Sequence, residues 1–170
     1  MVSLDEYLVR EQFVKDNDLP LSDIKSYWPS LLPVSNLESR VDLIVNQLGL
    51  DRKVLNHAPI FGYSDSNITG TVGFLRTIIS DEQINNWPAY IGCSLRRMRE
   101  CYEHLTINMG YDTEDLNLNK IIWSISKQNV IDNKTIIDGC TNLPDKFKYQ
   151  DNPNILLQKP AQLRNKLRNY

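Results

Sequence analysis

Residues 88–110 read PAYIGCSLRRMRECYEHLTINMG. Within this stretch Ile91, Leu95, Met98, Tyr102, Leu105 and Met109 recur at alternating steps of four and three, the spacing that sets apolar side chains on one stripe of an α-helix. Pro88 suits a first helical turn, where its missing N–H costs little, and Gly110 suits the position just past a helix end. The pattern predicts a central helix from about Pro88 to Met109. Its apolar seam must be covered, so neighbouring segments should supply further helices.

Toward the amino terminus, Ser3 with Glu6, Ser35 with Glu38, and Ser80 with Gln83 match the capping-box spacing. In that arrangement a hydroxyl and an acid or amide three residues on satisfy each other's backbone N–H. The first pair opens a helix that should stop before Pro20. The second heads Leu37, Val41, Ile44, Val45 and Leu48, closed by Gly49. The third precedes Ile84 and Trp87, and Ser22 is placed to cap a short turn carrying Ile24, Tyr27 and Trp28. Residues 57–73 hold Pro59, Gly62, Gly70 and Gly73 around Ser64-Asp65-Ser66-Asn67, which reads as an irregular loop or hairpin. Helix should resume near Val72.

Toward the carboxyl terminus, Thr113 is placed to cap a helix through Leu118, Ile121, Ile122 and Ile125. Residues 130–140 fit a short helix better than a hairpin. Residues 143–160, with Pro144, Pro153 and Pro160, read as an extended connection to a final basic helix with Leu163, Leu167 and Tyr170 on one face. No internal repeat is evident. The expected fold class is mainly α: one domain over 1–170, a bundle of about six or seven helices.

With 170 residues, 41% of them hydrophobic, the chain can bury a substantial core. No run approaches the ~18–20 apolar residues of a membrane span, and the start Met1-Val2-Ser3-Leu4-Asp5-Glu6 lacks the layout of a signal peptide. A cytoplasmic protein without a membrane partner is expected. Three cysteines are too few for a disulfide scaffold. The net charge of −2 supplies no global basic field, but the head is acidic and the tail basic. Lys159, Arg164, Lys166 and Arg168 have no acid among them and are candidates for contact with RNA or DNA phosphates.

Several chemistries are excluded. Phosphate-cradling glycine loops of both common types are absent. Asp65, Asn67 and Thr69 mimic the start of a calcium loop, but Arg76 stands where a bidentate glutamate is required. Asp65 and Asn67 are expected as turn formers. Cys101 and His104, with Cys93 two turns away, fall short of a zinc ligand set, and no metal or cofactor is expected. The remaining catalytic candidates are Arg99 and His104, five residues apart, as a phosphate stabiliser and an acid–base of the kind that cleaves RNA without metal. Arg97 with His104, and Arg52 with His57, repeat the theme. On the same helix Arg96 with Glu100, and Arg99 with Glu103, have the spacing of simple ion pairs.

The tail Arg164-Asn165-Lys166-Leu167-Arg168-Asn169-Tyr170 resembles the Arg-Asn-x-x-x-His signature, often followed by Tyr, of HEPN domains. The resemblance implies a helical bundle, commonly dimeric and often a metal-independent ribonuclease of toxin, CRISPR or abortive-infection systems, with Arg164 and Asn165 lining a nucleic-acid cleft. This chain has Asn169 in place of the family's histidine, and an amide cannot shuttle a proton near neutral pH. The implied protein is a degenerate member that binds nucleic acid or protein, or an enzyme whose His104 has taken over.

The leading expectation is a non-enzymatic helical interaction protein of a phage or of a bacterial defence or counter-defence system, with a protein partner. Tyr27, Trp28 and Trp87 are candidate anchors for it. The alternatives are a HEPN-like ribonuclease, including a homodimeric one, and nucleic-acid binding through the basic last helix.

Overall fold

A computed structural model describes residues 4–17, 33–141 and 143–168. The fold is mainly α, and no strand occurs among the described residues. Eight α-helices are present there: α1 Leu4–Asp16, α2 Val34–Val41, α3 Asp65–Leu75, α4 Asp81–Asn86, α5 Leu95–Glu103, α6 Leu118–Trp123, α7 Lys127–Asp138 and α8 Pro160–Leu167. Short 3-10 turns separate several of them. Contacts divide the chain into two compact units, Met1–Gly92 and Cys93–Tyr170.

The central helix begins later than its apolar spacing suggests. Residues 88–92 form a 3-10 turn, and the Ser94 hydroxyl accepts the Arg97 N–H to cap α5. Ile91 stays on the buried side of that turn, while Met98, Cys101 and Leu105 form the buried seam. Beyond α5, residues His104–Asn108 widen into a π-helical turn. Gly110, at φ 75°, reverses the chain so that the Tyr111 N–H reaches back to the Leu105 carbonyl. An L side chain disfavours that backbone conformation.

The same device closes α2. A π turn over Asp42–Gln47 ends at Gly49, φ 63°, and the Leu50 N–H bonds the Ile44 carbonyl. This likeness belongs to a wider pattern. The helices α2, α3 and α5 begin at Val34, Asp65 and Leu95, a period of about thirty residues. Superposing residues 51–75 on 81–105 by a constant shift pairs Asp51 with Asp81, Asn56 with Asn86, Gly62 with Gly92, Ser64 with Ser94, and Leu75 with Leu105. Buried positions coincide as well: Val54 with Ile84, Ile68 with Met98, and Thr71 with Cys101. In each copy a 3-10 turn ends at glycine and a serine two residues on caps the next helix. The chain therefore does contain an internal repeat: a long helix, a short helical turn, then a 3-10 turn.

Within the first unit, equivalent elements stack. The 3-10 turn Arg52–Asn56 packs on α4, and the turn Ala58–Gly62 packs on Pro88–Gly92. The Asp51 N–H donates to the Asn85 side chain at 3.0 Å, and Lys53 Nζ donates to Asn86 at 3.0 Å. Gly92 lies so close to Tyr63 that a Cβ would sit 2.2 Å from its hydroxyl. Guanidinium groups tie the layers. Buried Arg40 donates to the Tyr63 carbonyl and pairs with Asp65 at 2.8 Å. Arg76 donates to the Leu48 carbonyl and grips both oxygens of Asp81 at 2.8 and 2.9 Å. That grip holds the Asp81 carboxyl below the usual carboxylate range.

Residues 57–73 are not a loop or hairpin: fourteen of the seventeen residues lie in a 3-10 turn and the start of α3. Asp65 and Asn67 lie in the first turn of α3, which Ser64 caps, so they form no calcium-type loop. The Ser80–Gln83 capping box is present. The Ser35–Glu38 box is not, because α2 starts two residues earlier with Pro33 at its cap, which puts Ser35 inside the first turn. Ser3 and the segment holding Tyr27 and Trp28 lie outside the described residues.

In the second unit α5 packs on α6 and α7, and α7 packs on α8. The core joins Leu105, Ile121, Val130, Leu156 and Leu163. Asp112 precedes a 3-10 turn and Asn117 caps α6, so Thr113 heads no helix. Of residues 130–140, 130–138 are helical, within α7, which opens on a Ser126–Asn129 capping box and ends at Gly139. Residues 143–160 are no free extended connection. They form two 3-10 turns that bury Phe147, Pro153 and Ile155, with Leu156 and Leu157 beside them.

Candidate nucleic-acid interface

Helix α8 carries its cations on two separate edges. Leu163 and Leu167 are buried, and at about 100° per residue Lys159, Gln162 and Lys166 fall to one side of that seam. Arg164 and Arg168 fall to the other side, exposed. The first edge borders a groove of about 350 Å³ whose opposite rim is Lys120, Ser124 and Ile125, with Leu157 and Gln158 between the rims. Lys166 Nζ donates to Gln158 Oε1 at 2.7 Å.

Both rims are held from beneath. Arg97 donates to the carbonyls of Ile121 at 2.9 Å and Ile125 at 2.8 Å, and also to that of Ile122. The Ile121 and Ile122 carbonyls are among those that a helix end leaves without intrahelical partners, and Ile125 lies just beyond that end, so Arg97 caps α6 and fixes the rim that carries Lys120. Fully buried Asn133 donates to the carbonyls of Leu156 at 2.8 Å and Gln158 at 2.7 Å, which fixes the segment that leads into Lys159.

Among the described residues, the lysines lining the groove have no carboxylate partner, and no acid lines it. Three lysines elsewhere are paired: Lys53 with Asp51, Lys134 with Asp138, Lys148 with Asp145. A second hollow of about 420 Å³ lies beside Cys140, Lys148 and Tyr149. There the Tyr149 hydroxyl donates to Asp138 and Lys134 sits 5.2 Å from the Tyr149 ring, so its polar groups already serve one another.

The structure thus joins Lys159 and Lys166 in one groove and leaves Arg164 and Arg168 off it. Asn165 is exposed on α8, while Asn169 and Tyr170 lie outside the described residues. Arg99 is exposed on α5 and His104 half-buried. Five residues place them about 140° apart round the helix, on opposite flanks of the Met98–Cys101–Leu105 seam. Arg97 is committed to α6. Arg96 and Glu100 form the exposed ion pair that their spacing suggests, at 2.9 Å. His57 is half-buried, and burial pushes its imidazole pKa down.

Cys101 is fully buried and desolvation pushes its thiol up to about 12, so it packs as an apolar side chain. Burial raises the Cys93 thiol as well. Among the described residues no group of three His, Cys, Asp or Glu side chains is placed to hold a metal ion, and no helix is long and apolar enough to cross a membrane. Trp87 is 59% exposed and stacks on Tyr90 with ring centres 6.4 Å apart.

Lys120, Ser124, Gln158 and Gln162 had no sequence signal that singled them out. Lys120 stands far from the basic tail along the chain, and only the packing of α6 near α8 brings it in. Comparison with protein-family models, with curated proteins and with solved structures returned no significant match.

Proposed function

We propose that this protein is a non-enzymatic, repeat-built helical binding protein whose macromolecular partner is a nucleic acid. The observation that carries the reading is the groove lined by Lys120, Lys159 and Lys166, with no acid among the described residues that line it. Charge distribution supports it. Residues 1–92 hold 7 Lys and Arg against 12 Asp and Glu, whereas residues 93–170 hold 12 against 9, so the second unit supplies the attraction. Stacked helical repeats suit this work, because each adds surface without requiring a catalytic pocket. The placing of Arg99 and His104 on opposite flanks of α5 speaks against joint proton transfer and charge stabilisation at one phosphate.

The test is fluorescence anisotropy of a labelled single-stranded RNA across a salt series. Affinity should fall steeply with salt, because displaced counterions drive phosphate binding. A salt-independent affinity, or no binding at low salt, would overturn the reading. Exposed Trp87, stacked on Tyr90, favours a second reading in which the partner is a protein anchored on that ring. In that case Trp87→Ala abolishes the complex and salt hardly matters.

A further inference from the structure

We infer that the groove between α6 and α8 is a phosphate seat, in which Lys120, Lys159 and Lys166 grip the sugar–phosphate backbone of a nucleic-acid strand. The inference rests on the nucleic-acid reading and adds the place and chemistry of contact. Three ammonium groups on one hollow repel each other, and among the described residues no carboxylate lines it to relieve them. An anion seated among them removes that repulsion. Lys166 is oriented by the amide oxygen of Gln158, and the Ser124 hydroxyl and the Gln162 amide lie on the same lining as neutral donors. Lys159 immediately precedes α8, so the positive end of that helix dipole adds charge of the same sign at the same rim.

The volume, about 350 Å³, holds one phosphate with part of its sugar. Arg97 and Asn133 fix the two rims, so the seat is formed before the ligand arrives and little ordering is needed on binding. Lysine is a point charge, without the planar fork by which arginine reads guanine or clasps phosphate in two places. The seat should therefore hold strands of any sequence.

Two measurements on the whole protein test this. Titration with inorganic pyrophosphate, followed by amide NMR, should move the signals of Lys120, Ser124, Gln158, Lys159, Gln162 and Lys166 most. Shifts concentrated elsewhere overturn the seat. In the second, a single-stranded oligonucleotide is titrated into wild type, into the Lys120→Gln/Lys159→Gln/Lys166→Gln variant and into Arg164→Gln/Arg168→Gln. All five substitutions are at partly or fully exposed side chains, and circular dichroism checks that the fold is kept.

The lysine variant should bind about tenfold or more weakly near 0.1 M salt, and its log–log salt slope should fall by about 2, since each single-strand phosphate contact contributes about 0.7. The arginine variant should change less than about threefold, as expected for rim charges off the site. Equal affinity of wild type and the lysine variant refutes the seat while the nucleic-acid reading stands. Failure of wild type to bind any oligonucleotide refutes that reading and the strand assignment with it. Tighter binding of pyrophosphate than of the oligonucleotide assigns the seat to free anions and also refutes the strand assignment.

Discussion

Replacing Arg97 with methionine should destabilise the second unit more than removing any exposed charge. The guanidinium serves three carbonyls at and just beyond the end of α6, two of them at 2.8 and 2.9 Å. A hydrogen bond from a charged donor contributes about 1.5–3 kcal/mol when buried. Arg97 is only half-buried, so water can replace part of what is lost. The expected net loss is about 2–4 kcal/mol for the three together. With a urea dependence of about 2 kcal/mol per molar for a chain of this size, the unfolding midpoint should drop by about 1–2 M without a change in slope.

Arg97→Lys keeps the charge but not the fork, and should recover no more than about half of the loss. The assay is urea unfolding followed by circular dichroism for all three proteins. A methionine variant within about 0.5 kcal/mol of wild type, the range of ordinary surface substitutions, would show that α6 does not depend on this clasp.

Other expectations follow from the same contacts. Gly110→Ala should cost about 1–2 kcal/mol in chemical unfolding, since the space for a Cβ is open and the penalty is the backbone's alone at φ 75°. Ser80→Ala should cost about 1 kcal/mol by removing the hydroxyl half of the α4 capping box. Leu105→Ala, at a fully buried seam position, should cost about 2–5 kcal/mol. Cys101 should resist a thiol reagent at pH 8 until the protein unfolds, since its folded thiol titrates near 12; modification of Cys101 in native protein would contradict its burial.

The His57 imidazole is held below its ordinary value of 6.5 by burial. The unfolded chain therefore binds that proton more readily, and stability should fall as pH drops below about 6.5. His57→Gln should flatten that part of the pH profile, and an unchanged profile would refute the assignment.

How much of this was legible depends on whether a signal is local. The seam of α5, the glycine at its end, the Ser80 box and the helical nature of 130–138 all rest on spacings within a few residues, and each appears in the fold. Ser35 has the right spacing too, but Pro33 starts the helix two residues early and takes its role away. In 57–73 the glycines suggested a break, at about 1 kcal/mol each against helix. Burial of Ile68, Val72, Phe74 and Leu75 on α3 outweighs that preference.

The thirty-residue repeat was hidden because few identities survive; what recurs is which positions are buried and where a glycine or serine ends or caps a turn. The groove was hidden for a different reason. Lys159 and Lys166 were visible as part of a basic tail, but that tail divides between two edges of α8. Lys120 joins one of those edges only through tertiary packing.

The claim that this protein holds nucleic acid without altering it is tested most directly by following the fate of a bound strand. End-labelled single-stranded RNA is mixed with a stoichiometric amount of protein and a chelator, and anisotropy and strand length are recorded together over hours. Raised anisotropy with every strand at full length is the predicted result. Shortened strands, with cleavage lost in His104→Ala, or anisotropy that never rises, would contradict it.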